Sequence, residues 1–478
     1  MKENLPINVI LADDKIQFKK EQDDLLKTVL DYRFFHPWKN LTAQHNNYGL
    51  QVDSNLEIYI TNKCNQNCSY CYLQKYPQLY PENVNEETIL HNLSMLYDYL
   101  IINHFYIPEI DMFSGEIWHT SLGLKILSLT YDYTQRGLSF GHIMITSNCF
   151  FVNNYEKLHS IQHFIDEFNA IGQPIIFSIS VDGKYIDNEG RPRNDGTEYT
   201  DDYYDNLFTF ARHNNYTFHP MVSAANIKYW PENYKWWKKM HEYYKLNLYQ
   251  MMLLEVRNDD WTDETIKQYC DFLTIQADDF LDTICKGDIK IMANALSDMR
   301  MRNQEPLING YVPWALTFTD TFSGCTVATH LTVRLGDLAI CPCHRLAYDK
   351  YLYGKFVVEN DMIVDIKAIN PQMAIKILMG NILVANPKCD TCLFKSCCLK
   401  GCHGSQLESV KDPFFPIPSV CKLYKEKYSH ILQYYKAKGL IDYYKSFSAQ
   451  ELGSNRLLFI LQLYEAWEAY NNEMGTDR

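Results

Sequence analysis

Cys64, Cys68 and Cys71 stand at CxxxCxxC spacing directly behind the strand-like run Leu56-Glu57-Ile58-Tyr59-Ile60-Thr61. Three thiolates so spaced can hold a four-iron, four-sulfur cluster by three of its irons, whereas clusters of that type ordinarily take four Cys. The fourth iron is then free to bind and react, the distinction that separates a catalytic metal site from a closed one. A chain with 15 Cys in 478 residues carries this pattern by accident only about 0.01 to 0.02 times. Zinc is the competing occupant. It requires four ligands, and the nearest histidines, His45 and His91, lie far from the triplet. A second set reads Cys389-x2-Cys392-x5-Cys398-x3-Cys402, with Cys421 19 residues later and Cys325 and Gly336-x4-Cys341 upstream. Its four-cysteine run arises by chance fewer than about 0.001 times per chain. Taken alone, this set suits zinc ribbons as well as iron–sulfur clusters, since both need thiolates. Cys149, Cys270 and Cys285 have no partner at such spacing and read as small buried hydrophobes.

The elements that must position these residues follow from periodicity. Strand-like runs at Leu56–Ile60, Glu109–Phe113, His142–Ser147, Ile175–Val181, Phe218–Val222 and Tyr249–Leu254 alternate with helical stretches at Glu86–Ile102, Leu122–Gln135, Tyr155–Ile171 and Asp263–Cys285. That alternation predicts parallel βα units, and six of them make a partial, open (β/α)6 barrel with its chemistry at the C-terminal strand ends. A strand near Val9-Ile10-Leu11 and a helix over Lys19–Tyr32 precede it, and helices over Leu423–Lys438 and Arg456–Asn472 follow. The expected organisation is an N-terminal extension (1–52), the barrel (53–315), a cysteine-rich domain (316–425) and C-terminal helices (426–478). Hydrophobic residues make up 46% of the chain and charged residues 22%, an ordinary globular composition. The net charge of −13 leaves no basic footprint for nucleic acid. No run reaches the ~18 apolar residues of a membrane helix, and the N-terminus does not read as a signal peptide. Clustered cysteines point to metal ligation in a reducing cytoplasm rather than to disulfides.

CxxxCxxC followed by an aromatic, Cys71-Tyr72, behind the first strand resembles the radical S-adenosylmethionine (radical SAM) superfamily. The resemblance implies that Cys64, Cys68 and Cys71 carry the cluster, that its open iron chelates the amino and carboxylate groups of S-adenosylmethionine, and that reduction yields a 5′-deoxyadenosyl radical. Ser114-Gly115-Glu116 resembles the family's Gly-Gly-Glu-Pro motif, with Ser114 for the first Gly and Ile117 for the Pro. Ser147-Asn148 resembles the ribose-contacting position, and Ile179-Ser180-Val181-Asp182-Gly183 a common strand end. Arg191 falls where relatives place an Arg on the cofactor carboxylate, and Arg193 fits by spacing too; a guanidinium binds a carboxylate with both arms of its fork. The second cysteine set resembles the SPASM domain of peptide-modifying radical SAM enzymes at all seven Cys and at Gly336. It implies two auxiliary four-iron clusters, one on Cys389, Cys392, Cys398 and Cys421 and one on Cys325, Cys341 and Cys402. Relatives often have a further Cys about six residues before the first; here Thr317-Phe318-Thr319-Asp320 stands there. The second cluster is therefore open or closed by Cys343. Cys397 adjoins Cys398, and spacing favours Cys398.

Barrel and SPASM domain together resemble maturases of ribosomally made peptides. The implied activity is hydrogen abstraction from a precursor peptide, most simply to form a Cys thioether, with an auxiliary cluster taking the second electron. Carbon–carbon cross-linking and epimerisation are alternatives. Sulfatase formylglycine maturation is another, but relatives with that activity place an Asp after the Cys of Gly-x4-Cys, and Pro342 stands there. An iron–sulfur electron-transfer protein is the non-enzymatic alternative. The implied partners are a precursor peptide and an electron donor such as flavodoxin or ferredoxin, with no nucleic acid and no membrane. The roughly 55 residues before the first strand are short for a leader-binding winged helix. Glu255 or Asp259, at the sixth strand and its loop, could face the active site.

Overall fold

Alternation of side-chain type along four long strands builds two different faces on one sheet. In the computed structural model, residues 15–42, 54–113, 115–258, 260–297, 308, 312–316, 326–379, 387–398, 401–447 and 455–475 are described. Strands β1 (Asn55–Tyr59), β2 (Tyr106–Phe113), β3 (Ser139–Ser147), β4 (Ile175–Ile179) and β5 (Thr217–Phe218) run parallel in that order. Leu56, Ile58, Ile110, Met112, Ile143 and Ile145 point to one face and are buried with Leu93, Leu96, Ile126, Leu127, Ile161 and Ile165 in a single apolar core. These last six come from helices α1 (Glu86–Ile102), α2 (Leu122–Gln135) and α3 (Tyr155–Ala170). The register sets Glu57 beside Asp111, and Glu109 beside His142, on the opposite face. A strand with period two separates its residues in this way. Local chemistry starts the helices: the Asn85 side chain accepts from Thr88 N at 2.8 Å and Asn154 from Lys157 N at 2.9 Å, each satisfying an N-terminal donor.

The expected fifth and sixth strands differ from the six-unit reading. Phe218–Val222 splits at Pro220, which has no N–H for a ladder. Only Thr217–Phe218 stays on the main sheet; β6 (Met221–Val222) pairs instead with β7 (Leu254–Glu255). His219 N bonds Ile179 O at 2.7 Å, and Met221 N bonds Asp182 Oδ1 at 2.8 Å. The start of the expected Tyr249–Leu254 strand is a 3₁₀ turn, Leu248–Gln250, capped by Asn247. The run near Val9 lies outside the described residues.

On its other side β1 pairs in parallel with β8 (His330–Arg334), from the cysteine-rich part of the chain. Strands β9 (Ala339–Cys341), β10 (Gly354–Glu359) and β11 (Met362–Ala368) continue antiparallel, giving one nine-stranded sheet. The helix Lys15–Leu30 rests on its outer edge, where Asp23 accepts from Ala368 N at 2.5 Å and Lys27 pairs with Asp365 at 2.6 Å. No described helix is long and apolar enough to cross a membrane.

Behind β7, helices α4 (Asp263–Thr283) and α5 (Pro418–Ala437) pack together. Glu255 turns away from the expected active-site role: its carboxylate accepts from Lys427 Nζ and, at 2.6 Å, from Tyr269 OH, all three buried. Asp259 lies outside the described residues. Burial alone would raise the Glu255 carboxyl; the Lys427 charge overrides it and holds the group below the ordinary carboxylate range. The pair's stabilisation is therefore complete above about pH 4.3 and fades as the pH falls toward the folded value. Lys427→Met should cost about 3–5 kcal/mol in chemical denaturation near neutral pH, because it strands a buried carboxylate. Wild-type stability in that variant would show that the pair does not hold the tail helix.

Candidate functional site

The cysteine triplet sits on a loop whose backbone is taken up by its neighbours. Behind β1, Gly115 N bonds Thr61 O and Glu116 N bonds Lys63 O, both at 2.8 Å. The backbones approach so closely that a Cβ on Gly115 would lie 2.2 Å from Lys63 O; only glycine allows this. Further on, Asn67 N bonds Pro192 O (2.8 Å), Ser69 N bonds Gly190 O (2.9 Å) and Asn194 N bonds Asn65 O (3.0 Å). Asn194 Nδ2 also reaches Cys64 O at 2.9 Å, and Asn148 Nδ2 reaches Asn65 Oδ1 at 2.7 Å. The segment 190–194 is thus a seam along the whole loop.

Arg191 is buried beneath that loop. Its guanidinium donates to Tyr70 OH (2.9 Å) and Gln66 Oε1 (3.2 Å) and lies 3.7 Å from Asp182 Oδ1. Tyr70 in turn donates to Asp182 at 2.7 Å. Tyr199 OH bridges Gln66 and the Arg191 carbonyl. Arg193 stacks on Phe150 at 4.1 Å and pairs with Asp195 at 2.7 Å. The Nε donors of both arginines are buried with no partner among the described residues.

The residues expected around a bound cofactor converge here. Glu116 takes Ser147 Oγ at 3.1 Å on each oxygen, Asn148 N at 2.8 Å and Trp118 N at 3.2 Å. Burial nevertheless prevails and pushes its carboxyl up to about 7. Ser180 N bonds Ser147 O at 2.8 Å, tying the ends of β3 and β4 together. Ser114 lies outside the described residues. Tyr72 packs its ring against Tyr80 and His344, with Arg345 over its face at 5.0 Å.

The three thiols are free, half-buried and close enough that the charges of Cys68 and Cys71 would act on Cys64. Burial pushes Cys64 and Cys68 up to about 12, with Glu116 adding to Cys64 and Arg191 opposing for Cys68. Such thiols ionise near neutral pH only against a strong positive centre such as a metal. Three half-buried thiols on one backbone-fixed loop, with unpaired arginine donors beside them, have the donor chemistry for an iron–sulfur cluster and a small polar ligand.

In the second cysteine set, Cys392 N bonds Cys389 O and Cys398 N bonds Phe394 O. Cys397 is buried with its Sγ 3.5 Å from Phe394 O, while Cys398 is half-buried. Cys421 is half-buried on the first turn of α5. Cys402 caps α6 (His403–Val410). Withdrawal from water would raise its thiol; Arg345 overrides this, with help from Ser405 and Arg257, and holds it below its ordinary value. Cys341 and Cys343 are buried, and burial pushes the Cys341 thiol up strongly. Cys325 lies outside the described residues. Cys149, Cys270 and Cys285 are buried as expected.

Solved structures of native anSMEcpe match this architecture. One, with bound AdoMet, has 12% identity and a TM-score of 0.52 over 81% of this chain and 100% of that one. Another, with bound AdoMet and the Cp18Cys peptide, has 14% identity and a TM-score of 0.52 over 81% and 99%. The chain shares the fold of anSMEcpe. No protein-family model and no curated protein matches it.

Spacing alone did not single out Asn65, Gln66, Tyr70, Asn194, Tyr199 or Arg345, which shape the site. Gln66 and Tyr70 lie inside the triplet, but their partners Asp182, Arg191 and Tyr199 stand 112 to 133 residues away and leave no periodic signal. Gly115→Ala should destabilise the protein by about 1–3 kcal/mol, the usual cost of overpacking, and lower the iron retained by the triplet. Thermal melting and iron analysis check this; unchanged values in both would contradict the close approach.

Proposed function

We propose that this chain is a radical S-adenosylmethionine enzyme that modifies a peptide. The carrying observation is that CxxxCxxC, Gly115-Glu116, Ser147-Asn148 and Ser180 all fall at the C-terminal ends of neighbouring parallel strands, with Arg191 under the same loop. Active sites of α/β sheets and barrels form at that edge. The fold is shared with a protein solved with bound AdoMet and a peptide, which supports the same ligand classes here.

In this reading Cys64, Cys68 and Cys71 hold a [4Fe–4S] cluster, which when bound supplies the electron that cleaves S-adenosylmethionine to a hydrogen-abstracting 5′-deoxyadenosyl radical. The backbone at Ser114-Gly115 meets the methionyl amino group, Ser147 and Asn148 meet the ribose, and Arg191 or Arg193 meets the carboxylate. Two of the Arg191 side-chain contacts, to Gln66 and Tyr70, fix the loop, so it positions the cysteines whichever arginine meets the ligand. Cys389, Cys392, Cys398 and Cys421 form one auxiliary site; half-buried Cys398, rather than core-facing Cys397, suits a ligand. Cys325, Cys341 and Cys402 form the other, with Cys343 as the candidate fourth ligand.

The preferred reaction is a Cys thioether cross-link in a ribosomal precursor peptide, with reducing power from a flavodoxin or ferredoxin in the cytoplasm. Pro342 after Cys341 weighs against formylglycine maturation. The test is anaerobic incubation of the reconstituted chain with S-adenosylmethionine and dithionite, then with short peptides encoded beside the gene. Formation of 5′-deoxyadenosine, lost in Cys68→Ala, and a peptide mass decrease of about 2 Da per cross-link are expected from the two hydrogens removed. Absence of 5′-deoxyadenosine would overturn the enzyme reading. Its formation with no mass change in any of those peptides would overturn the peptide assignment.

A further inference from the structure

The polar face of the sheet carries a second constellation, made without cysteine. Glu109 and Asp111 are two apart on β2 and so share that face. His330 arrives from β8, on the far side of β1, opposite Asn55. One donor atom from each of Glu109, Asp111 and His330 lies within 4.8 Å of the other two. His330 Nε2 is 3.4 Å from Glu109 Oε1. A first-row divalent ion binds such atoms at about 2.0–2.2 Å, which places cis ligands about 3 Å apart and trans ligands about 4.3 Å apart. The His330–Glu109 pair already stands near the cis spacing, and the three donor atoms, all within 4.8 Å of one another, would close around an ion by side-chain rotation.

Two observations point to a ligand rather than to a satisfied polar cluster. Asp111 Oδ1 is fully buried and accepts no hydrogen bond among the described residues. Its neighbour Glu57 is fully engaged by comparison, taking Thr332 Oγ1 at 2.9 Å, His344 N at 2.7 Å and His344 Nδ1 at 2.7 Å. A buried carboxylate oxygen with no donor is costly. The surrounding groups also have the arrangement that orients metal ligands from behind. His330 Nδ1 lies 2.9 Å from Thr329 Oγ1, which turns Nε2 toward the two carboxylates. Glu109 Oε2 is held by His142 Nε2 at 2.8 Å and Oε1 by Asn55 Nδ2 at 3.3 Å.

We propose that Glu109, Asp111 and His330 form a divalent-cation site on the polar face of the sheet, taking a first-row ion of the Mn²⁺ class. Two carboxylates with one imidazole suit such an ion better than a thiolate-seeking one. Three protein ligands leave positions for water or for a substrate oxygen. The site uses none of the cysteines, and its existence does not depend on the reaction proposed above.

The test uses the full-length, cluster-reconstituted protein titrated anaerobically with MnCl₂, free Mn²⁺ being read from its six-line electron paramagnetic resonance signal. Saturable binding of one equivalent is expected, weakened at least tenfold in both Asp111→Asn and His330→Gln. Electron spin-echo measurement of Mn²⁺ bound to the wild type should show nitrogen coupling from one imidazole, a readout that needs no variant to fold. No saturable binding, no nitrogen coupling, or affinity unchanged in both variants would overturn the proposal.

Discussion

The buried Arg191 guanidinium is the contact on which the cysteine loop depends. Eight residues from Cys64 to Cys71 must hold three sulfurs toward one point, and among them no long helix or strand does so. The loop instead borrows rigidity from the 190–194 seam, while Arg191 fills the space beneath it against Gln66, Tyr70 and Asp182. A buried cation needs a counter-charge to tolerate such a position. Asp182 provides this and also accepts from Met221 N, so the cysteine loop, the end of β4 and the start of β6 share one polar knot. Burial holds the Cys64 and Cys68 thiols up at about 12, so a metal bound by them would supply the positive charge that ionises them.

The cysteine-rich segment is joined to this site by the sheet itself. β8 lies directly against β1, and its Thr332 donates to Glu57. Burial would raise the Glu57 carboxyl, but His344 overrides it and holds the group at about 2. The His344 ring stacks on Phe113 at 3.7 Å, next to the turn that carries Gly115. Beside it, Arg345 covers Tyr72, pairs with Glu408 at 2.5 Å and sets the Cys402 thiol. A continuous set of contacts therefore runs from the residue after Cys71 to the N-cap of α6. The loop of Cys64 and the thiol of Cys402 are thus joined by one set of packed and charged contacts.

Much of this was legible in the sequence because the long strands and helices have strong periods. The helices at Glu86–Ile102 and Leu122–Gln135 were read to their ends, and the first four strands to within a few residues. The failures have physical causes. Pro220 stands inside the run Phe218–Val222 and has no N–H for a ladder, so the fifth strand breaks there although apolar residues flank it on both sides. Glu255, at the end of the expected sixth strand, could face the active site by position alone, but its partner, Lys427, lies on a helix 172 residues later. The parallel pairing of β8 with β1 leaves no local mark, nor does the meeting of Glu109 and Asp111 with His330. Patterns report which face a residue takes; they do not report which distant strand faces it.

The Cys64 loop is proposed to hold a [4Fe–4S] cluster with one iron open to S-adenosylmethionine. Electron paramagnetic resonance of the dithionite-reduced, reconstituted protein tests it most directly, before and after S-adenosylmethionine is added, in the wild type and in a variant with Cys64, Cys68 and Cys71 all changed to Ala. The account predicts a reduced-cluster signal that changes shape on addition of S-adenosylmethionine in the wild type, and a variant that loses about four irons together with that response. A variant with wild-type iron content, or a wild-type signal indifferent to S-adenosylmethionine, would contradict it.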